Sequence, residues 1–192
     1  MGRLEVIAGC MFAGKTEELL RRLERAKIAQ KKVLLFKPEI DDRYSTTDVV
    51  THYGRSFPCS LLPLKLTKKY MLSHFREEIL AADVVAFDEA HFFKGNFVRI
   101  CQWLVAEGKR VIVAGLDLDF RGKPFGYMPQ LLALADEVVK LQAVCVVCGK
   151  PATRSQRVTA NGRPASKKSP LELIGGLETY EPRCVRCYVP PK

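Results

Sequence analysis

Gly9-Cys10-Met11-Phe12-Ala13-Gly14-Lys15-Thr16 is a complete GxxxxGKT phosphate loop, set between the apolar, strand-like run 4–8 and a charged amphipathic stretch. Its two glycines permit backbone angles and close approaches that a Cβ would block, so successive N–H groups can turn inward and cradle phosphate oxygens. A helix beginning near Lys15 adds the positive end of its dipole at the same spot. Lys15 is then placed to reach the β- and γ-phosphates, and the Thr16 hydroxyl to ligate the Mg²⁺ that bridges them. The plainer reading, a glycine-rich turn followed by a surface lysine, is weakened by this flanking context. A nucleoside triphosphate is the expected ligand, although the loop alone fits ATPases, GTPases and kinases alike.

Working outward, residues 17–30 place Leu19, Leu20, Leu23 and Ile28 near helical spacing among charges, and 32–36 is a short apolar run closed by Lys37-Pro38. That order is strand, loop, helix, strand. It recurs: 72–80 reads as helix, 83–87 as strand, 97–107 as helix and 110–114 as strand, followed by a helix over 130–137 and a strand near 138–144. Such alternation predicts an α/β fold, a mostly parallel sheet with helices on both faces and ligands bound beyond the carboxyl ends of the strands. Residues 49–59, centred on Tyr53-Gly54-Arg55, read instead as a β-hairpin. The last fifty residues carry Asn161-Gly162, Pro164, Gly175-Gly176 and two cysteine pairs, with no long helical pattern. A module boundary is expected near Leu141, separating 1–141 from 142–192.

At 192 residues, 47% hydrophobic and 27% charged, the chain has room for one ordinary core and a small appended module. No run approaches the ~20 apolar residues of a membrane span, and the first strand leaves no room for a secretory leader. Cytoplasmic placement is the expectation, with no membrane partner. The net charge of +10 suits a nucleic acid partner or the handling of several phosphates. Because the basic residues are dispersed, with only pairs such as Lys31-Lys32, Lys68-Lys69 and Lys167-Lys168, nucleic acid is not the expected partner.

The apolar run 84–87 ends in Asp88-Glu89. A carboxylate at the end of a neighbouring strand can hold Mg²⁺ opposite the phosphate loop, which suits Asp88. Glu89 points elsewhere and can accept a proton from whatever attacks the γ-phosphate. A solvated strand end is the alternative for this pair. Asp88-Glu89-Ala90-His91 also spells a helicase-class motif, in which the Glu would activate water. A helicase core needs two α/β domains, and this chain has room for one.

Seven cysteines, an odd number, argue against a disulfide framework. Cys145-x-x-Cys148 and Cys184-x-x-Cys187 resemble the four thiolates of a closed, structural zinc ribbon, with unligated buried thiols or a redox pair as alternatives. The 35 residues from 149 to 183 exceed the roughly 15–20 of the compact motif, so they must loop out and return to the metal. His52 and His74 have no partner at ligand spacing, and His91 stands beside the carboxylates.

Taken together, these motifs resemble the cytosolic thymidine kinases that carry a zinc module. The resemblance runs from Leu4 to about Tyr188 and includes Lys37-Pro38 with Asp41-Asp42-Arg43-Tyr44, Asp88 to Phe93, Gly115-Leu116-Asp117, Phe120 to Phe125, and both cysteine pairs. It implies Mg-dependent transfer of the γ-phosphoryl of ATP to the 5′-hydroxyl of thymidine and deoxyuridine, in nucleotide salvage. Glu89 would be the base. Asp88, with Asp41 and Arg43, would serve metal and phosphate. Met11, Leu116, Phe120, Phe125 and Tyr180 would line the nucleoside pocket, and Phe92 would stack on the base. The segment between the cysteine pairs would be a lasso closing over the base, with Ser155, Leu171, Leu173 and Gly175 at its contact positions. A homotetramer and feedback inhibition by thymidine triphosphate are also implied. Against the usual pattern, His91 replaces a common Gln, Cys10 a common Pro and Ser155 a frequent Thr.

The expectation is therefore a P-loop NTPase-like α/β kinase with a zinc-anchored lasso at Cys145, Cys148, Cys184 and Cys187. The rivals are a zinc-ribbon, nucleic-acid-stimulated P-loop ATPase and a nonenzymatic nucleotide-binding module.

Overall fold

The computed structural model describes residues 1–39, 48–50, 56–171 and 179–192, without the side chains of Asp48 and Val50. Six strands form one all-parallel sheet: β1 (Arg3–Gly9), β2 (Val33–Pro38), β5 (Ser60–Leu62), β7 (Val84–Phe87), β9 (Arg110–Gly115) and β10 (Glu137–Leu141). Their order is β10-β1-β9-β7-β2-β5. Between them run α1 (Lys15–Ile28), α2 (Lys68–His74), α3 (Arg76–Ala81), α4 (Phe97–Ala106) and α5 (Met128–Leu134). Two short strands, β3 (Asp48–Val50) and β4 (Ser56–Pro58), pair antiparallel, and β6 (Lys65–Leu66) pairs with β8 (Lys94–Gly95).

Strands buried on both faces read as continuous apolar runs, and only the pleat assigns each residue a face. Ile7, Ala86, Ile112 and Ala114 pack with Leu19, Leu20, Leu23 and Ala26 of α1, and with Val49 and Phe57. Their chain neighbours Val6, Val85, Phe87, Val111 and Val113 face the opposite layer of Met71, Ile79, Ile100, Leu104, Met128 and Leu131, drawn from α2 to α5. Leu23 is fully buried, so Leu23→Ala would cost about 2–5 kcal/mol of stability.

Three elements differ from the periodicity reading. The helix expected over 72–80 is two helices. Thr67 caps the first by accepting from the Tyr70 N–H at 3.1 Å, and the chain breaks at Phe75, whose ring packs edge-on to Phe36 at 5.0 Å. The helix expected over 130–137 starts earlier and stops at Leu134, where Asp136 turns its carboxylate to accept from Leu4 N–H at 2.8 Å. The strand expected near 138–144 divides, β10 ending at Leu141 while β11 (Ala143–Val144) pairs with β12 (Pro151–Ala152). Beyond it, β13 (Arg154–Arg157) and β14 (Tyr180–Arg183) pair antiparallel, joining the two ends of the cysteine-flanked segment. The expected hairpin is represented by the β3–β4 pair, and its Tyr53-Gly54-Arg55 turn lies outside the described residues, as does His52.

Candidate functional site

The carboxyl ends of β1, β9 and β7 lie side by side, so the segments that leave them share one edge of the sheet. Gly9 closes β1 at φ 152°, and a Cβ there would fall 2.5 Å from the Leu141 carbonyl oxygen, so no side chain fits. The loop then runs through Phe12 at φ 63° and Gly14 at φ 80°, and α1 begins at Lys15. Glu17 and Glu18 in the first turn complement the helix dipole. Lys15 Nζ donates to the Cys10 carbonyl at 2.9 Å, which curls the loop around its own lysine.

Across this edge the Thr16 hydroxyl donates to Asp88 Oδ2 at 3.1 Å. The other Asp88 oxygen accepts the Glu89 N–H at 2.9 Å. Glu89 itself sits at φ 47°, ψ 39°, a left-handed conformation that costs a non-glycine residue about 1–3 kcal/mol and persists where the surroundings impose it. The Asp88 carboxylate meets Thr16 while the Glu89 carboxylate lies beside the His91 ring, so these adjacent carboxylates have different partners. His91 is buried, and its Nδ1 accepts the Leu116 N–H at 3.1 Å while lying 3.6 Å from Glu89 Oε2. An accepting Nδ1 carries no proton, so the ring is held as the Nε2–H tautomer.

Two aromatic groups stand at this edge, one beside Glu89 and the other against the phosphate loop. His91, Phe92 and Phe125 form one, with ring centroids 4.2 Å, 4.6 Å and 6.1 Å apart. Gly126, at φ 51°, brings the Phe125 loop against it, since a Cβ there would fall 2.4 Å from the His91 carbonyl oxygen. The second group is Phe120, Tyr180 and Ala165, with Met11, Phe12 and Leu171 packed on it. The Met11 N–H donates to Ser155 Oγ at 3.0 Å, so the phosphate loop is stitched to β13. Asp117, also buried at this edge, has Lys140 Nζ 2.8 Å from its Oδ2, close enough to pair electrostatically but off the hydrogen-bonding direction.

The four sulfurs of Cys145, Cys148, Cys184 and Cys187 lie within 4.8 Å of one another, with Cys148 and Cys184 at 3.6 Å. Four sulfurs at a zinc bond of ~2.3 Å stand about 3.8 Å apart in a tetrahedron, so the cluster fits such an ion. Hydrogen bonding to the Cys148 and Cys184 sulfurs pushes the Cys187 thiol up to about 12. Burial on its own would raise Cys145, but backbone N–H donors from Cys184, Val147 and Cys148 outweigh it and bring that thiol down to about 6. Sulfurs this close cannot all ionise without a cation among them. Cys10 packs in the same cluster as Cys145 and Cys184, and its thiol, raised by burial, donates to the Ala152 carbonyl at 3.3 Å. The side chain of this loop residue therefore faces the cysteine module rather than phosphate.

Of the residues singled out from sequence, Asp41, Arg43, Leu173 and Gly175 lie outside the described residues. The others named at the loop, the carboxylates, the aromatic groups and the cysteines gather at this edge. Sequence reasoning missed Asp119, whose Oδ1 accepts the Arg121 and Lys123 N–H groups at 2.8 Å and 2.9 Å and folds the turn beside Phe120. The run Asp119 to Pro124, with Gly122 inside it, was the available turn signal. It also missed Arg121, Arg157 and the Tyr188 hydroxyl, which donates to the Phe120 carbonyl at 2.7 Å.

A family model described as thymidine kinase matches residues 2–188. A thymidine kinase of Coprothermobacter proteolyticus is 56% identical over 183 residues, covering 95% of this chain and 88% of that protein. Among solved structures, a DNA replication initiation factor aligns at 16% identity and TM-score 0.44, over 72% of this chain and 40% of its own. AMPPCP-bound DnaA from Aquifex aeolicus aligns at 17% and 0.42, over 71% and 39%. This chain thus spans about two fifths of those structures, and such slight likenesses carry no argument.

Proposed function

The chain belongs to the thymidine kinase family, and we propose that it transfers the γ-phosphoryl group of ATP to the 5′-hydroxyl of thymidine with the residues gathered at the carboxyl edge of the sheet. The observation that carries the assignment of roles is the 3.1 Å contact of Thr16 with Asp88, beside a Glu89 whose carboxylate lies by His91 instead. Loop residues 9–16, with Cys10, Phe12 and Ala13 contributing backbone, hold the triphosphate, and Lys15 leaves the Cys10 carbonyl to meet it. Mg²⁺ bound with ATP would neutralise charge on the triphosphate, and Thr16 and Asp88 are the residues that would hold it; we assign Asp41 and Arg43 to the same metal and phosphate side. Glu89 accepts the proton of the 5′-hydroxyl as that oxygen attacks. His91, its Nδ1 occupied by Leu116, fixes the turn that carries Glu89.

The nucleoside lies among Met11, Leu116, Phe120, Phe125 and Tyr180, with Phe92 against the base and Ser155, Leu171, Leu173 and Gly175 supplied by the segment between the cysteine pairs. Phe92, Phe120, Phe125 and Tyr180 are all buried, which keeps water, the competing acceptor, from the γ-phosphate. Zinc at Cys145, Cys148, Cys184 and Cys187 is structural, closing both ends of that segment. We divide the chain accordingly into a nucleotide-binding unit, 1–141, and a zinc-anchored unit, 142–192. Thymidine triphosphate, carrying the nucleoside and a triphosphate in one molecule, fits both halves of a site that share Met11, and we assign it as feedback inhibitor. A homotetramer and cytoplasmic salvage complete the proposal. Among the described residues, no helix is long and apolar enough to cross a membrane.

The test is ATP turnover with thymidine, with single-stranded nucleic acid, and with neither. Thymidine-dependent turnover yielding thymidine monophosphate is the expected result. Thymidine-independent hydrolysis stimulated by nucleic acid would overturn it.

A further inference from the structure

Two arginines beside the aromatic group of Phe120 and Tyr180 have no role in phosphoryl transfer, yet both are committed to one segment of chain. Arg121 follows Phe120, and its Nη2 donates to the Ser169 carbonyl at 3.0 Å. Arg157 ends β13, and its Nη1 donates to the next carbonyl, that of Pro170, at 2.5 Å. Their guanidinium carbons stand 5.1 Å and 5.2 Å from the centroid of the Phe120 ring, and Arg157 is also 6.0 Å from that of Tyr180. Both are thus held by ring faces as well as by carbonyls, a geometry suited to a planar guanidinium and poorly matched by an ammonium.

The backbone around each arginine is fixed independently. Asp119 holds the Arg121 N–H, Tyr188 holds the Phe120 carbonyl, and the Arg157 carbonyl accepts the Ala165 N–H at 2.9 Å. Arg121 Nε is buried without a hydrogen-bond partner among the described residues. A side chain free to swing outward would carry that donor into water, so the arrangement retains the guanidinium against a desolvation cost. The residue immediately after the two held carbonyls is Leu171, which packs on Phe120, Ala165 and Tyr180.

We propose that Arg121 and Arg157 are positioning residues for the acceptor nucleoside. They hold the chain at Ser169 and Pro170, keep Leu171 against Phe120 and Tyr180, and so set the affinity for thymidine while leaving the phosphate loop untouched. The proposal rests on reading that aromatic group as part of the thymidine pocket.

Arg121→Met keeps the length of the stem and removes the donors. It is expected to raise KM for thymidine about tenfold, the size of one charge-assisted hydrogen bond, with kcat and KM for ATP within about twofold. Arg121→Lys restores part of the loss, and Arg157→Met added to Arg121→Met costs less than the sum of the two, because either change alone releases the segment. Amide exchange across residues 165–171, measured with no nucleoside present, should speed up in Arg121→Met. A thymidine KM within about twofold of the parent, or an equal rise in both KM values, would overturn the proposal. Unchanged exchange over 165–171 would overturn it as well, even if thymidine proved not to be the acceptor. Absence of thymidine turnover by the parent enzyme would strike the acceptor reading alone and leave the exchange measurement to decide the arginines.

Discussion

Replacing Glu5 by Gln is expected to destabilise this protein by about 3–5 kcal/mol, although Glu5 touches neither the phosphate loop nor the cysteines. Its carboxylate is fully buried on β1. It accepts Nε and Nη2 of Arg110 at 2.6 Å and 2.9 Å and Nη1 of Arg22 at 2.5 Å, and it also pairs with Arg3. Gln keeps the shape but offers one accepting oxygen, and turns an NH₂ group toward guanidinium donors. At least two charge-assisted bonds are lost, at about 1.5–3 kcal/mol each. Arg22 retains Glu18 and Glu137, each at 2.8 Å, which holds the total toward the lower end. For a chain of this size each kcal/mol moves Tm by roughly 2–4 °C, so a fall of about 6–20 °C is expected in thermal unfolding at pH 7.

The pH dependence supplies a second arm to the same experiment. Burial alone would raise the Glu5 carboxyl, but the hydrogen bonds of Arg110 and Arg22 outweigh it and hold it below its ordinary 4.5. A carboxyl depressed on folding contributes stability that is present above its unfolded value and lost as pH falls through its folded one. The parent's Tm should therefore fall as pH drops below about 4.5, and Glu5→Gln should show a smaller acid-side loss. A Tm within about 2 °C of the parent at pH 7, or an identical acid-side loss, would refute this account of the network.

Glu89→Gln should lower kcat by about 10²-fold or more while ATP still binds, and near-normal kcat would remove Glu89 from the role of base. Ser155→Ala strands the Met11 N–H and should raise KM for ATP roughly fivefold, from about 1 kcal/mol lost in the loop; an unchanged KM would show that the stitch to β13 does not shape it. Zinc released from the denatured parent should approach one equivalent per chain and fall sharply in Cys148→Ser, and a parent preparation without zinc would refute the metal assignment. Glu18, held down to about 2 by the Arg21 guanidinium and then by Arg22, should keep its charge to low pH, so Glu18→Gln lowers Tm at pH 7 and has little effect near pH 2; an equal loss at both would refute the pairing.

The parts of the site legible in the residues were those whose chemistry is contiguous. Loop 9–16, Asp88-Glu89 and the two Cys-x-x-Cys pairs each declare themselves within a few positions, because spacing along the backbone sets their geometry. Helix ends were less legible. The break at Phe75 follows from a ring seeking Phe36, and the early stop at Leu134 from Asp136 reaching Leu4, neither of which is a local preference. Asp119, Arg121 and Arg157 were invisible for the same reason, since their partners are backbone groups that only the folded chain brings near.

Residue order alone determined that this chain alternates strand and helix, carries a GxxxxGKT loop at Gly9 to Thr16, ends a strand in two carboxylates and places four thiols in ligand spacing. Periodicity and motif spacing are short-range quantities, and they sufficed for those conclusions. Tertiary structure decided what stands beside what. The order β1-β9-β7 brings Thr16 to Asp88, the β13–β14 pair draws Ser155 to Met11, and a run read as an apolar strand hides Glu5 among three arginines. Strand order and pleat select partners from distant parts of the chain, and no local pattern in the residues encodes that choice.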